Sequence, residues 1–237
     1  MRIAILSDIH ANLIALEAVL AEVDTLGPDA LWCLGDTVGY GPEPQACAEL
    51  IGARAAQCLA GNHDLAVTGQ LSLDKFNAVA REAALWQREH IRPEIVEWLG
   101  ELPGRQEVED VTLAHASPRD PVWEYIVDEQ VAGANSDHFQ TQICLVGHSH
   151  QAMGWRLNES GWWGWGRVQR TQIPAGEALS LGEEDRWILN PGSVGQPRDG
   201  DPRASFALFA AIVKSHGRKG RFVSKLFRLE YNCKNVS

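Results

Sequence analysis

The stretch RIAILSDIHANLIALEAVLAEVDTLGPDALWCLGD, residues 2–36, decides the architecture. RIAILS (2–7) is a short, unbroken apolar run, the pattern of a strand buried on both faces. Leu13, Leu16, Val19, Leu20 and Val23 then recur at helical spacing over 12–26 until Gly27-Pro28 stops the helix. ALWCLGD (30–36) returns to strand. A strand, a helix and a second strand in that order imply a right-handed crossover and a parallel sheet.

The alternation continues outward. PEPQACAELIGA (42–53) reads as helix and ARAAQCLAGNHD (53–64) as a strand running into a loop. Residues 74–91 form a longer helix with Phe76, Val79, Ala80, Ala83 and Trp86 at core spacing. Pro93 starts a short helix to Leu99. After residue 140 the helical signal is sparse. Strands are expected at 106–116, 142–150, 185–191, 204–213 and 221–231, building a more antiparallel sheet beside the first. No repeat or linker divides residues 1–237, which are expected to form one domain.

Composition limits the function. Lys plus Arg number 21 against 31 Asp plus Glu, a formal charge of −10. Such a chain repels a long nucleic acid unless positive charge is concentrated locally. No apolar run approaches the roughly 20 residues needed to span a bilayer, and the N-terminal run is too short for a signal peptide. Cys33, Cys47, Cys58, Cys144 and Cys233 are odd in number and form no CxxC pair, which fits a reducing compartment. The expected location is cytoplasmic, away from membranes, and homo-oligomerisation is left open.

Five expected strands end in loops carrying Asp, Asn or His: Asp8-Ile9-His10, Gly35-Asp36, Gly61-Asn62-His63-Asp64, Ala114-His115 and Gly147-His148-Ser149-His150. The C-terminal ends of parallel strands lie along one sheet edge, where sites assemble. The i, i+2 spacing puts Asp8 with His10, and His148 with His150, on the same side. Carboxylate and imidazole donors without thiolate suit Mn, Fe, Co, Ni or Zn, with manganese favoured. Seven such donors are too many for one tetrahedral ion and suit two divalent ions sharing a bridging carboxylate and water. The glycines before Asp36, Asn62 and His148 suit turns with unusual angles or close approach.

SDIHAN (7–12), GDTVGYGPEP (35–44), GNHD (61–64), AHASPRDPVWEY (114–125), GHSH (147–150) and NPGSVGQPRDGDPRASFAL (190–208) together resemble the calcineurin-like metallophosphoesterases, from Asp8 to about Phe209. The resemblance is to a compact bacterial and archaeal branch related to phosphodiesterases and dinucleoside polyphosphate hydrolases. It implies an α/β fold, a four-layer αββα sandwich of two mixed sheets with helices outside. It makes Asp8, His10 and His150 ligands of one metal, Asp36 the bridge, and Asn62, His115 and His148 the ligands of the other. His63 takes the position that stabilises the transition state or protonates the leaving oxygen, a role suited to a group titrating near pH 6.5. Asp64 would orient the loop.

The implied chemistry is in-line attack on phosphorus by a metal-bridging hydroxide. Relatives of the protein phosphatase type carry an Asp three residues after the bridging Asp to orient the catalytic His. Here that position is Gly39, so His63 must be oriented by Asp64 or by backbone. The expected substrate is a small phosphodiester or nucleotide-type molecule. A dinucleoside polyphosphate hydrolase, a serine/threonine phosphoprotein phosphatase and a non-catalytic metal-binding scaffold are the alternatives. Arg119 and Arg198 are candidate phosphate contacts, set against surface ion pairs with Asp120, Asp199 or Asp201. Tyr40 either walls the site or packs. Trp155, Trp162, Trp163 and Trp165 suggest a base-stacking platform, or, preferably, a hairpin turning at residues 158–161. KSHGRKGR (214–221) reads as another hairpin turn.

Overall fold

The computed structural model describes residues 1–158, 167–182, 185–212 and 221–231. The chain runs β1 (Arg2–Leu6), α1 (Leu13–Leu26), β2 (Ala30–Cys33), α2 (Pro44–Arg54), β3 (Gln57–Cys58), α3 (Asn62–Thr68), α4 (Ala78–His90) and α5 (Pro93–Glu101). It continues with β4 (Arg105–Val108), β5 (Val111–Ala114), α6 (Glu129–Ala134), β6 (Ile143–Val146), β7 (Ala152–Asn158), β8 (Arg167–Thr171), β9 (Ala178–Leu181), β10 (Arg186–Pro191), β11 (Ala204–Ile212) and β12 (Arg221–Leu229).

These strands make two six-stranded mixed sheets, ordered β3-β2-β1-β11-β12-β9 and β4-β5-β6-β10-β7-β8, flanked by helices. β1 shows why four layers form. Its Ile3 and Ile5 join Leu113, Leu145 and Leu189 of the second sheet in the inter-sheet core. Its Ala4 and Leu6 face Leu16, Val19 and Val23 of α1 on the outside. One strand thus buries both faces, at about 1.5–3 kcal/mol per large side chain. On the far side, Cys144 and Ile188 of the second sheet pack with Ala132 of α6. Helix α1 starts where Asn12 Oδ1 accepts the Ala15 N–H at 3.1 Å, and ends at Gly27 in the left-handed region.

The structure corrects several sequence expectations. The second half of the chain does not build one sheet beside the first. β9, β11 and β12 join β1–β3, and β11 pairs antiparallel along β1. Such pairing depends on long-range closure, which local pattern does not encode. The single strand expected at 106–116 is a hairpin, because Glu109 turns the chain at φ 53° between β4 and β5. GNHD opens a helix, not a loop: Gly61 is the N-cap of α3 and Asp64 accepts its N–H at 2.8 Å.

Helix α4 turns a different face inward. Ala80, Ala84 and Gln87 are buried, whereas Val79 and Trp86 are exposed. Small alanines let α4 approach closely, and Gln87 reaches polar groups beneath it.

The Trp155 hairpin forms, but in another register. Asn158 pairs with Arg167 and Trp155 with Arg170, so the connection runs through residues 159–166. Trp155 is buried in the core, which removes it from any stacking platform. Trp162, Trp163 and Trp165 lie outside the described residues. So does most of the turn expected at 214–221, although the strands on either side pair, Ile212 with Arg221.

Candidate metal centre

Parallel pairing of β1 with β2, of β2 with β3 and of β5 with β6 brings the C-terminal ends of these strands to one end of the sandwich. The loops that follow are knitted by main-chain hydrogen bonds. Asp8 N–H donates to Gly35 O at 3.0 Å, His10 N–H to Asp36 O at 2.9 Å and Gly147 N–H to His115 O at 2.8 Å. Within them Asp8, His10, Asp36, His148 and His150 all take left-handed backbone, with φ between 51° and 63°. Each costs about 1–2 kcal/mol in an L-residue, so the surrounding bonds hold strain where the side chains must converge. Gly61 and Gly147 are needed for close approach: a Cβ would lie 2.0 Å from Asp36 Oδ1 at the first and 2.0 Å from Ser7 Oγ at the second.

Two groups of donors result, both fully buried and sharing Asp36: Asp8, His10, Asp36 and His150 in one, and Asp36, His115 and His148 in the other. His10 Nε2 lies 3.6 Å from Asp36 Oδ2 and His150 Nε2 lies 3.3 Å from Asp8 Oδ1. His115 Nε2 lies 3.4 Å from Asp36 Oδ2 and 3.2 Å from Asn62 Oδ1, which puts Asn62 beside the second group. The structure brings together all seven residues that the sequence nominates as ligands.

The donor chemistry fits metal ions. Val38 O sits 3.2 Å from His10 Nδ1 and Gln196 O sits 2.6 Å from His150 Nδ1. A carbonyl only accepts, so each ring carries its proton on Nδ1 and presents a bare Nε2. Those two Nε2 atoms face each other at 3.0 Å, lone pair against lone pair, an arrangement that a cation between them would relieve. Asp36 Oδ2 and His148 Nε2 are buried without a hydrogen-bond partner among the described residues, a costly state that a metal ion would satisfy.

Electrostatics agree for three of the four imidazoles; burial opposes protonation of the fourth, His115, but Asp36 outweighs it and holds that ring up to about 10, so an ion bound there would displace its proton. Burial pushes the His10 and His150 imidazoles below their usual range and His148 down to about 3, so these rings are neutral and able to ligate near pH 7. Burial raises the Asp8 carboxyl. Burial opposes ionisation of Asp36 too, but the neighbouring His115 and His63 outweigh it and hold this carboxyl low. Asp8 is further fixed by the Ser7 hydroxyl at 2.6 Å and the His148 N–H at 3.0 Å.

His63 stands beside the cluster with its ring 4.8 Å from that of His10, 4.6 Å from Tyr40 and 5.0 Å from Phe76. Burial lowers its pKa to about 4, well under the 6.5 expected from sequence, so the ring is neutral at pH 7. Asp64 does not reach that ring. Its carboxylate accepts the N–H groups of Val38 and Gly61, while burial and nearby Asp36 push its pKa up to about 7. Gly39, at φ 90°, leaves no room for a side chain, since a Cβ there would lie 2.4 Å from His63 Nδ1. Aromatic packing and the Gly39 backbone orient His63 in place of a carboxylate.

The candidate phosphate contacts part company. Arg119 is held by both carboxylate oxygens of Glu124 and makes no hydrogen bond to Asp120 among the described residues. Ser117 and Asn135 donate to the same carboxylate. Arg198 stays at the site: its N–H donates to His150 O at 3.1 Å and its guanidinium lies 5.9 Å over the Tyr40 ring.

The sequence reading missed Gln87, whose amide accepts from Gly39 N–H and donates to Gly41 O, each at 2.7 Å. It also missed Tyr125, stacked 4.0 Å from His148, and Asn190, which donates to Gly147 O at 2.6 Å behind the GHSH loop. The last two lie inside strings that the reading quoted. Gln87 carried no signal except that a polar residue sits on a helix face otherwise lined by alanine.

A two-sheet αββα sandwich with paired Asp/His clusters where parallel strands end defines a class, the calcineurin-like phosphoesterases. The chain matches the calcineurin-like phosphoesterase superfamily domain over residues 1–212 and belongs to that family. A crystal structure of a metallophosphoesterase from Sphaerobacter thermophilus is similar with a TM-score of 0.78 and 43% identity, over 98% of this chain and 89% of that one. An uncharacterized protein of Methanocaldococcus jannaschii is 38% identical over 99% of this chain and 89% of its own length. A hypothetical protein of Pyrococcus horikoshii OT3 shares the fold, with a TM-score of 0.69 and 19% identity over 98% and 89% of the two chains.

Proposed function

We propose that the chain is a metal-dependent phosphoesterase that hydrolyses a small phosphodiester or nucleotide-type substrate. The observation that carries this reading is the pair of donor clusters joined through Asp36, with Asp36 Oδ2 and His148 Nε2 buried and unpartnered. Asp8, His10 and His150 would hold one divalent ion, Asn62, His115 and His148 the other, and Asp36 both. Manganese is our first candidate, and this mixed oxygen and imidazole set also suits Fe, Ni, Co or Zn. When bound, the ions supply Lewis acidity, which activates water near neutral pH and offsets charge on the phosphoryl oxygens.

The residues of the chain do the rest. The carbonyls of Val38 and Gln196 keep the His10 and His150 rings turned with Nε2 inward. Neutral His63 donates a hydrogen bond toward the reacting phosphoryl group or its leaving oxygen, and does not deliver charge as an imidazolium. Arg198 and Tyr40 form the wall against which the ester lies. Two carboxylates among seven ligands leave the loaded centre positive, whereas a surface with a net −10 balance disfavours long nucleic acid. Among the described residues no helix is long and apolar enough to cross a membrane. A cytoplasmic enzyme acting on a small ester is the consistent reading.

The test is a panel of Mn, Ni, Co, Mg and Zn against bis-nitrophenyl phosphate, nitrophenyl phosphate and diadenosine tetraphosphate. Metal-dependent turnover with the diester ahead of the monoester is expected. No turnover with any metal would overturn the enzyme reading, and a strong monoester preference would overturn the diesterase one.

A further inference from the structure

Beside the metal centre, a cleft of about 450 Å³ opens where the two sheets part, between β7 and β8 of one and β12 of the other. Its floor is rigid. Asp199 is ion-paired with Arg228 and also accepts the Ala152 N–H at 3.2 Å. Met153, Ile173 and Leu226 form its apolar base.

Two arginines set this cleft apart. Every other arginine with a described side chain meets a carboxylate, as Arg228 meets Asp199, or donates to main-chain carbonyls, as Arg88 does to Val67 and Ala66. Arg170 and Arg198 do neither. Among the described residues Arg170, which is exposed, donates only to Met153 Sδ at 3.2 Å, and Arg198 donates to the Gln196 side chain, lies over Tyr40 and interacts with the Tyr125 hydroxyl. Both line the cleft. In a chain with ten excess negative charges, two guanidiniums that have no carboxylate partner among the described residues and line one cavity are available to an external anion. The cleft is tied to the centre through the chain: Gln151 in its lining directly follows His150, and Arg198, also in the lining, donates its N–H to His150 O.

We propose that this cleft is a second anion subsite, in which Arg170 and Arg198 hold a phosphate group of the substrate beyond the one being hydrolysed. The favoured substrates then carry two or more phosphates, as nucleoside polyphosphates do. The proposal rests on the phosphoesterase reading and narrows it.

Its test compares wild type with Arg170→Met and Arg170→Lys on diadenosine tetraphosphate and on bis-nitrophenyl phosphate, which has a single phosphate. Losing a charge-assisted, forked contact should lower kcat/KM on the tetraphosphate about tenfold relative to the compact diester, chiefly through KM. Arg170→Lys should fall less, because it keeps the charge and loses only the fork. An unchanged ratio between the two substrates would overturn the subsite. If neither substrate turned over with any metal, the phosphoesterase reading would fail, and calorimetric titration with adenosine diphosphate would still decide the cleft. About tenfold weaker binding by Arg170→Met supports it, and equal or absent binding refutes it.

Discussion

Replacing Gln87 with Met keeps the volume of the side chain and deletes both hydrogen bonds of its amide. In the native chain that amide, fully buried on α4, accepts from Gly39 N–H and donates to Gly41 O, both at 2.7 Å. The Gly39 N–H is buried and would have no other partner, a loss of about 1–3 kcal/mol. The Gly41 carbonyl is only half-buried and can recruit water, so its loss adds about 0.5–1.5 kcal/mol. The sum, about 1.5–4.5 kcal/mol, is a large share of the roughly 5–15 kcal/mol that holds a domain folded. With a urea slope of about 3 kcal/mol/M, the unfolding midpoint should drop by about 1 M. The same two bonds pin the loop that carries Tyr40 and the backbone beneath His63. Turnover of the folded variant should therefore fall as well, at unchanged metal content. A midpoint within about 0.2 M of wild type would refute the assignment of Gln87 as the anchor of this loop.

Two further outcomes follow from the site and its surroundings. His63→Ala should cost about 10²–10⁴-fold on an alkyl phosphodiester and less on a nitrophenyl ester, whose leaving group needs little help; equal losses in parallel kinetics would remove His63 from the leaving-group side. Burial pushes the Glu124 carboxyl up, but hydrogen bonds from Arg119, Asn135 and Ser117 outweigh it and hold it at about 2. Because the folded value lies below the ordinary one, this stabilisation is present above about pH 4.5 and is lost as pH falls through about 2. Glu124→Gln should thus be less stable than wild type by about 1–3 kcal/mol at pH 7, and the gap should narrow below pH 5. A gap constant from pH 7 to pH 3 in denaturant unfolding would contradict the pairing.

The Asp, Asn and His side chains that cluster at the sheet ends were legible in the sequence because their chemistry is written in residue type. Asp8, Asp36 and His148 follow apolar runs that make only strands, and strands of one parallel sheet end together. β1, α1 and β2 were legible for the same reason, with Gly27 marking the end of the helix. What escaped depends on partners distant in sequence. The β11–β1 pairing joins residues about two hundred positions apart, and nothing local assigns it. GNHD read as a loop because glycine and asparagine serve loops, turns and helix caps alike. Gln87 was hidden because the periodicity of α4 placed its larger apolar residues inward, whereas the structure buries alanines and one amide. Arg119 was weighed against its neighbour Asp120, but its partner is Glu124, five residues further along the chain.

The central claim is that two ions share Asp36. Metal content per chain, measured by inductively coupled plasma spectrometry after loading with Mn and removal of free metal, tests it directly. The account predicts two ions per wild-type chain, falling to one or fewer in Asp36→Ala with loss of bis-nitrophenyl phosphate hydrolysis. One ion or none in the wild-type chain, or two retained in Asp36→Ala, would contradict it.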